Sequence, residues 1–470
     1  MADVILIEPP ATSKFGNLRT LGSIGTFKAD MAWPPLELMI ISGYLSKNGI
    51  KTEILDAVSL RKGPEHIKSF IAEHNPSLVV FTTSTPTIYN DLKTADIAKS
   101  VSRHIKTAAI GTHIMALPEE TLKLCGNLDI ACYSESEQVI LNLVKSSYNL
   151  KDVPGIYYRK DGSIYKNSPQ PACQNLDEFG MPSHDKVPLN IYRDPFLKRK
   201  PMTVTFSSRG CINQPPCIMC SACFYANDRY RSAESMLEEI SWVKSLGVQE
   251  LRFPFESGFN NFDIAKKLFT KMIDKNLTIP FTCNGRADRL PIDLLKLMKE
   301  AGCKAVNIGC ESVDMEVLKF SQKKVTPEMV KEAVGNAKAA GLETLVYFMF
   351  GLPGETKDTM KQTLEFAKKL HADMVTFGVA IPHPKTAFYN FLEEKELLNT
   401  RQWDRYDPMF TPPYDYAGLS SREILLCARK TYRAYYLRPK YIFSRLKKNN
   451  LMADAKNFFG FSLRYLLKNG

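Results

Sequence analysis

The sequence predicts an α/β protein made of two successive strand–helix repeats and a small helical tail. Three observations carry this reading. Short β-branched runs alternate with helical patterns over residues 1–145, which argues a doubly wound, Rossmann-like parallel sheet. The alternation resumes over 201–400 with six strands, the number expected of a partial (β/α)6, TIM-like barrel. Between and after them lie a hairpin and linker (146–200) and a basic region with helical patterning (401–470). At 470 residues the chain is too long for one ordinary core.

In the first repeat, Val4–Ile7 has the pattern of a buried strand and Leu36–Leu45 an apolar spacing near 3.6. Lys51–Leu55 is the second strand, Glu65–Glu73 a helix, Leu78–Thr82 a strand, Tyr89–His104 a helix and Thr107–Ile110 a strand. Sheets of this kind bind ligands beyond the carboxyl ends of their strands. The segments in that place are Pro9-Pro10, Asp56-Ala57, Thr83-Ser84-Thr85 and Gly111-Thr112-His113. Next, Asp161-Gly162 between two aromatic runs predicts a tight hairpin. A Pro-rich stretch through Pro188 has the look of an extended linker.

The second repeat opens with Met202–Phe206. Its later strands are Glu250–Phe253, Pro280–Cys283, Ala305–Ile308, Thr344–Phe350 and Met374–Gly378, with helices such as Ala233–Leu246, Leu294–Ala301 and Pro327–Ala340 between them. The tail interleaves Lys and Arg with Tyr432, Tyr435, Tyr436, Tyr441 and Phe443, then Phe458, Phe459, Phe461 and Tyr465. These aromatics could line an apolar channel, lie on a membrane surface or cover the barrel.

Directly after the first barrel strand come Cys211, Cys217, Cys220 and Cys223, four of the chain's eleven cysteines within thirteen residues. Thiols this dense on a loop suit convergence on one metal centre. A zinc ribbon needs a second, distant CxxC knuckle, and none is present. A cluster held by three sulfurs with one iron left open fits the count better.

The net charge of +12 is uneven: from Tyr436 to Gly470 there are eight Lys/Arg and one Asp. The N-terminus has neither a basic n-region nor a long apolar core, and no uncharged run reaches membrane-spanning length. With eleven cysteines, this predicts a reducing, cytoplasmic setting. No nucleic-acid recognition motif is visible.

The chain resembles the cobalamin-binding radical S-adenosylmethionine (SAM) proteins across nearly its whole length. The resemblance rests on Pro34-Pro35-Leu36 through Gly43-Tyr44-Leu45, Thr83-Ser84-Thr85-Pro86, and Gly111-Thr112-His113 through Thr121. In the second repeat it rests on Ser208-Arg209-Gly210-Cys211, Tyr230-Arg231-Ser232, Asn307 through Glu311-Ser312, and Phe350-Gly351 through Glu355-Thr356. It implies a [4Fe–4S] cluster on three cysteines, SAM on the fourth iron, and a corrinoid in the first domain. The usual CxxxCxxC spacing is altered here. Cys211, Cys217 and Cys220 are the expected ligands, because Arg209-Gly210-Cys211 stands where the family has its first one; Cys217, Cys220 and Cys223 form the competing register.

By the same resemblance, Glu256, Asn284, Arg286, Glu311 and Ser312 are SAM contacts. Pro35, Asp56, Ser84, Thr85, Gly111 and His113 are cobalamin contacts, with His113 near the corrin edge and not on cobalt. The Asp-x-His-x-x-Gly signature of histidine-ligated corrinoids is absent. Ser134-Glu135-Ser136-Glu137 stands where relatives often have Gly-Glu-Gly-Glu, and losing both glycines removes backbone freedom at φ > 0.

No cysteine precedes Cys125 and only Cys427 follows Cys310, so no second cluster is expected. The resemblance therefore implies methylation of an unactivated carbon with SAM and methylcobalamin, served by an electron-donor protein. A cobalamin-dependent cyclase or rearrangement, or a non-catalytic corrinoid or iron–sulfur protein, are the alternatives. Peptide or protein side chain, lipid and small metabolite all stay open as substrate, and the tail allows peripheral membrane contact.

Overall fold

The computed structural model describes residues 2–10, 19, 32–194, 197–225, 227–254, 259–408 and 410–446. Glu256, and Phe458, Phe459, Phe461 and Tyr465 of the tail, lie outside them.

Five parallel strands, β1 (Val4–Glu8), β2 (Thr52–Asp56), β3 (Leu78–Thr82), β4 (Lys106–Ile110) and β5 (Ile130–Cys132), form the first sheet in the order β2-β1-β3-β4-β5. Every residue of β1 and β3 is buried, as expected for strands with helices on both faces. The order reverses between β1 and β3, so the ligand crevice opens above that pair. β5 is only three residues long, too short to leave an alternation in the sequence.

β6 (Ile156–Lys160) and β7 (Ser163–Lys166) extend this sheet antiparallel from β5, so the hairpin belongs to the first domain. Its turn residues, Asp161 and Gly162, have φ of 50° and 78°, the paired left-handed values of a two-residue turn. The continuous helix expected over Tyr89–His104 is broken. A 3-10 turn (Thr85–Thr87) leads into Ile88–Asp91, and the helix restarts at Lys93–Val101. Asp91 is the cause: its carboxylate accepts the Ser84 backbone N–H and the Arg19 guanidinium, tying this turn down to the crevice.

The Pro-rich stretch is a packed strap. Ser183 N–H donates to the Met39 carbonyl at 2.9 Å, and Phe179 meets Tyr44 edge-on at 5.4 Å. A Cβ on Gly43 would sit 2.0 Å from the Met181 carbonyl oxygen, so only glycine allows the strap this close. His184 is fully buried between Thr203 (2.9 Å) and Glu239 (2.8 Å) of the second domain.

In the second domain, β8 (Met202–Val204) is followed by a two-stranded ribbon, β9 (Ser208–Arg209) with β10 (Arg229–Tyr230). β11 (Glu250–Phe253), β12 (Phe281–Gly285), β13 (Cys303–Glu311), β14 (Glu343–Phe350) and β15 (Met374–Val379) then lie beside β8 in chain order, all parallel. Strands laid down in sequence with intervening helices curl into an open, six-stranded half-barrel. The helix Ser421–Tyr436 covers its last edge: the Tyr436 hydroxyl accepts the Val375 N–H at 3.1 Å and donates to the Val375 carbonyl at 2.5 Å. An unpaired strand edge is thereby satisfied by a side chain. Residues 401–420 are mostly irregular, against the helical expectation; the helices there begin at Ser421. No described helix is long and apolar enough to cross a membrane.

Candidate functional site

The cysteine loop springs from the β9–β10 ribbon at the carboxyl end of β8. Its centre is clamped: Ile218 N–H donates to the Ser321 carbonyl (3.2 Å), and Phe388 N–H donates to the Ile218 carbonyl (3.0 Å). Three thiols each accept an N–H. Asn213 supplies its backbone N–H to Cys211 Sγ and its Nδ2 to Cys217 Sγ, and Ala222 its backbone N–H to Cys220 Sγ, all at 3.4 Å. Such donors stabilise a sulfur that carries negative charge or ligates iron. Arg286 directly follows β12; burial works against its charge, but Asp288 first and then the Cys211 and Cys217 thiols hold its guanidinium above the usual value. Cys223 lies exposed on the flank of the loop. Among the described residues no three His, Cys, Asp or Glu side chains converge as ligands of one ion.

Beneath this loop sits a buried ionic network between domains. Arg209 of β9 reaches Glu137 at 2.6 and 3.0 Å and Glu135 at 3.1 Å. Arg229 of β10 also pairs with Glu135 and donates to the Cys173 carbonyl at 2.6 Å. Burial pushes the Glu135 carboxyl up, but Arg209 and Arg229 outweigh it and hold it below the usual value. The two serines beside these glutamates need no left-handed backbone: neither has positive φ, and the segment runs straight into the helix Ser136–Lys145. Losing the glycines costs the loop nothing here.

Next to the cysteines, a narrow cleft at the carboxyl ends of β12–β14 is lined by Asn284, Gly285, Arg286, Asn307, Gly309, Lys323 and Tyr347. Arg286 is braced by Asp288 at 3.0 and 3.1 Å. Arg252 of β11 donates to Asn284 Oδ1 at 2.8 Å; with the Asn307 amide oxygen turned toward it, Arg252 also reaches Asn307 at 2.8 and 2.6 Å. Glu311 adopts φ 66° at a register shift in β13 and pairs with Lys323 at 3.0 Å. Ser312 is fully buried in the turn leading to the helix Met315–Phe320, where its hydroxyl accepts the Asp314 N–H, so the structure does not bring it into the cleft. Lys323 and Tyr347 had no distinguishing pattern in the sequence.

Across from the barrel is the crevice of the first sheet. Ser84 and Thr85 follow β3, and Gly111 follows β4 with φ 114°. A Cβ on Gly111 would meet the Thr83 carbonyl oxygen at 2.3 Å, so the backbone cradle there requires glycine. His113 is fully buried. Its Nδ1 lies 3.2 Å from Thr85 Oγ1, its ring meets Trp403 at 5.4 Å, and Nε2 has no hydrogen-bond partner among the described residues. Burial, with a smaller contribution from His383, drives its pKa down to about 3, so the imidazole is neutral. Pro35 sits buried at the start of the helix Leu36–Lys47, and Asp56 ends β2, accepting the Ser59 N–H at 2.9 Å.

Sequence reasoning missed the ion pairs at the centre of this crevice. Arg19 is wholly buried, bonded to Glu8 (3.3 Å) and Asp91 (2.7 Å). Burial raises the Glu8 carboxyl to about 7 despite Arg19. A carboxylate closing a strand at the switch point, directly before Pro9-Pro10, was the one available signal.

The carboxyl edges of the two sheets therefore face each other. His113 and Glu135 of the first meet Trp403 and Arg209 of the second, and the Trp33 ring lies 5.3 Å from the Arg252 guanidinium.

Two family models match the chain: "Radical SAM superfamily" over residues 205–367 and "B12 binding domain" over 22–144. The uncharacterized methyltransferase PH0819 of Pyrococcus horikoshii is 29% identical over 445 residues, covering 93% of each chain. The anaerobic magnesium-protoporphyrin IX monomethyl ester cyclase of Rubrivivax gelatinosus is 25% identical, covering 93% of this chain and 79% of its own. Among solved structures, the radical SAM methyltransferase TsrM of Kitasatospora setae, with cobalamin and a [4Fe-4S] cluster bound, superposes with a TM-score of 0.68 at 16% identity, over 90% of this chain and 81% of its own. The cobalamin-dependent SAM radical enzyme OxsB, with aqua-cobalamin and SAM bound, gives 0.73 at 15% identity, over 98% and 72%. At these identities the two structures establish a shared fold.

Proposed function

The chain belongs to the cobalamin-binding radical SAM proteins, and from that premise we propose that it is a methyltransferase acting on an unactivated carbon. Its cofactors are a [4Fe–4S] cluster, SAM and cobalamin. The observation that supports the reading is the set of contacts His113–Trp403, Arg209–Glu135 and Trp33–Arg252, which bring the carboxyl edges of the two sheets together, with three N–H-supported thiols on the loop that Arg209 starts. When bound, the cluster supplies the electron that cleaves SAM, and the corrinoid carries the methyl group.

The chain's own residues have definable tasks around those groups. On this reading Cys211, Cys217 and Cys220 would hold the iron, leaving Cys223 outside, with the loop drawing together the three sulfurs that do not converge on one point in this structure. Arg286, fixed by Asp288, offers a bidentate fork suited to the SAM carboxylate. Asn284, Asn307 and Tyr347 present polar atoms along the same cleft, and Lys323 is kept in place by Glu311. Gly111, Ser84 and Thr85 form the backbone cradle for the corrinoid, and the unpartnered His113 Nε2 suits one of its amide groups. The Glu135–Arg209 and Trp33–Arg252 contacts fix the distance between the two sites.

The experiment is anaerobic incubation of reconstituted protein with SAM, a low-potential reductant and cobalamin. 5′-Deoxyadenosine together with S-adenosylhomocysteine supports methyl transfer; no deoxyadenosine sinks the enzyme reading. The cyclase of Rubrivivax gelatinosus, aligned over 93% of the chain, favours a second reading, a ring closure or rearrangement. That reaction would give deoxyadenosine without S-adenosylhomocysteine.

A further inference from the structure

A large cavity lies on the face away from the cysteines. It is about 920 Å³ and is bounded by residues at the amino ends of the barrel strands and the carboxyl ends of the barrel helices. Its lining holds eight lysines and arginines against three carboxylates. Lys299, Lys338 and Lys368 lie in the last turns of their helices, where a cation offsets the helix dipole. Arg438 likewise donates to the Tyr435 and Lys368 carbonyls at 2.7 and 3.4 Å, but that local duty does not account for Lys198, Arg199, Lys304 and Lys440. Lys198, Arg199, Lys304 and Lys440 are exposed. Two of the carboxylates are turned toward backbone: Glu250 accepts the Arg199 N–H at 2.7 Å, and Asp373 accepts the Thr344 N–H at 2.9 Å. His371, at the cavity edge, is depressed by burial and then by Lys440, Lys338 and Arg438. The cavity is electropositive.

Beside it the segment Leu437–Phe443, which leads into the helix Pro439–Leu446, changes character from one residue to the next. Arg438, Lys440 and Tyr441 line the cavity, while Leu437, Ile442 and Phe443 are 58%, 45% and 63% exposed. Large apolar side chains alternating with cations at one edge match the interfacial pattern, in which apolar groups enter the headgroup layer and cations meet anionic lipid. The 24 residues that follow continue that composition, with five Lys/Arg, one Asp and four aromatics.

We propose that this face docks on a bilayer containing anionic phospholipid, the basic cavity taking headgroups and Leu437, Ile442 and Phe443 entering the interface. The contact is peripheral. It leaves the carboxyl edges of the strands, where the cysteines and Arg286 stand, directed away from the lipid.

The test uses the full chain in co-sedimentation with phosphatidylcholine vesicles, with and without phosphatidylglycerol. Binding is expected only with phosphatidylglycerol and should weaken as salt rises. The double variant Lys304→Glu, Lys440→Glu should reduce it about tenfold or more, and Phe443→Ser should reduce it independently. Both variants should keep wild-type circular dichroism and deoxyadenosine formation, which separates this proposal from the catalytic one. Sedimentation with neither vesicle, equal binding to both, or retention of single-stranded RNA in place of vesicles with the same charge-reversal sensitivity would overturn it.

Discussion

Arg209 and Glu137 lie 2.6 Å apart with side chains only 5% and 4% exposed, and they belong to different domains. One starts the cysteine loop; the other begins the helix after the last parallel strand of the first sheet. Removing Glu137 leaves the buried Arg209 only Glu135, which Arg229 already shares, and an under-compensated buried charge costs up to about 3–5 kcal/mol. Glu137→Ala should therefore lower the denaturant midpoint by that equivalent and loosen the loop, seen as less iron retained per chain. A variant with unchanged stability would show that the pair is dispensable.

Cys211→Ala, Cys217→Ala and Cys220→Ala should each abolish the brown absorbance of reconstituted protein and deoxyadenosine formation. Cys223→Ala should preserve both. Loss of the cluster in Cys223→Ala with retention in Cys211→Ala would establish the other register.

Arg286→Ala removes a charge-assisted fork worth about 1.5–3 kcal/mol. SAM affinity should fall roughly 10- to 100-fold, measured by equilibrium binding, while the cluster's absorbance stays at the wild-type level. If SAM binds the variant normally, the carboxylate is held elsewhere.

At Gly111, φ 114° and a 2.3 Å approach to the Thr83 carbonyl leave no room for a side chain. Gly111→Ala should cost about 1–3 kcal/mol and lower the cobalamin that co-purifies or binds on reconstitution. An undiminished corrinoid content would separate this turn from the corrinoid site.

Glu355 closes the turn after β14, accepting the Gly351 and Leu352 N–H groups; burial first of all raises its carboxyl from 4.5 to about 8. The folded form keeps the proton that the unfolded chain loses. Its contribution is complete below pH 4.5 and declines as pH rises to about 8, at up to about 1.4 kcal/mol per pH unit. Glu355→Gln should flatten the fall in melting temperature between pH 5 and 8. An identical slope in both proteins would mean that Glu355 ionises normally.

The sequence by itself determined the two-repeat architecture, because strand burial and helix spacing are local patterns: Leu78–Thr82 and Glu250–Phe253 were legible to the residue. It also determined the cysteine loop, since four thiols in thirteen residues need no neighbours to be noticed. Only the tertiary structure decided what meets across the domains. Arg19 and Asp91 are 72 residues apart, Arg209 and Glu137 also 72, and Trp33 and Arg252 farther still; even where a motif marked one member, its partner became visible only once the fold brought the two together. A pair's energy depends on distance and on local dielectric, and neither quantity is written in chain order.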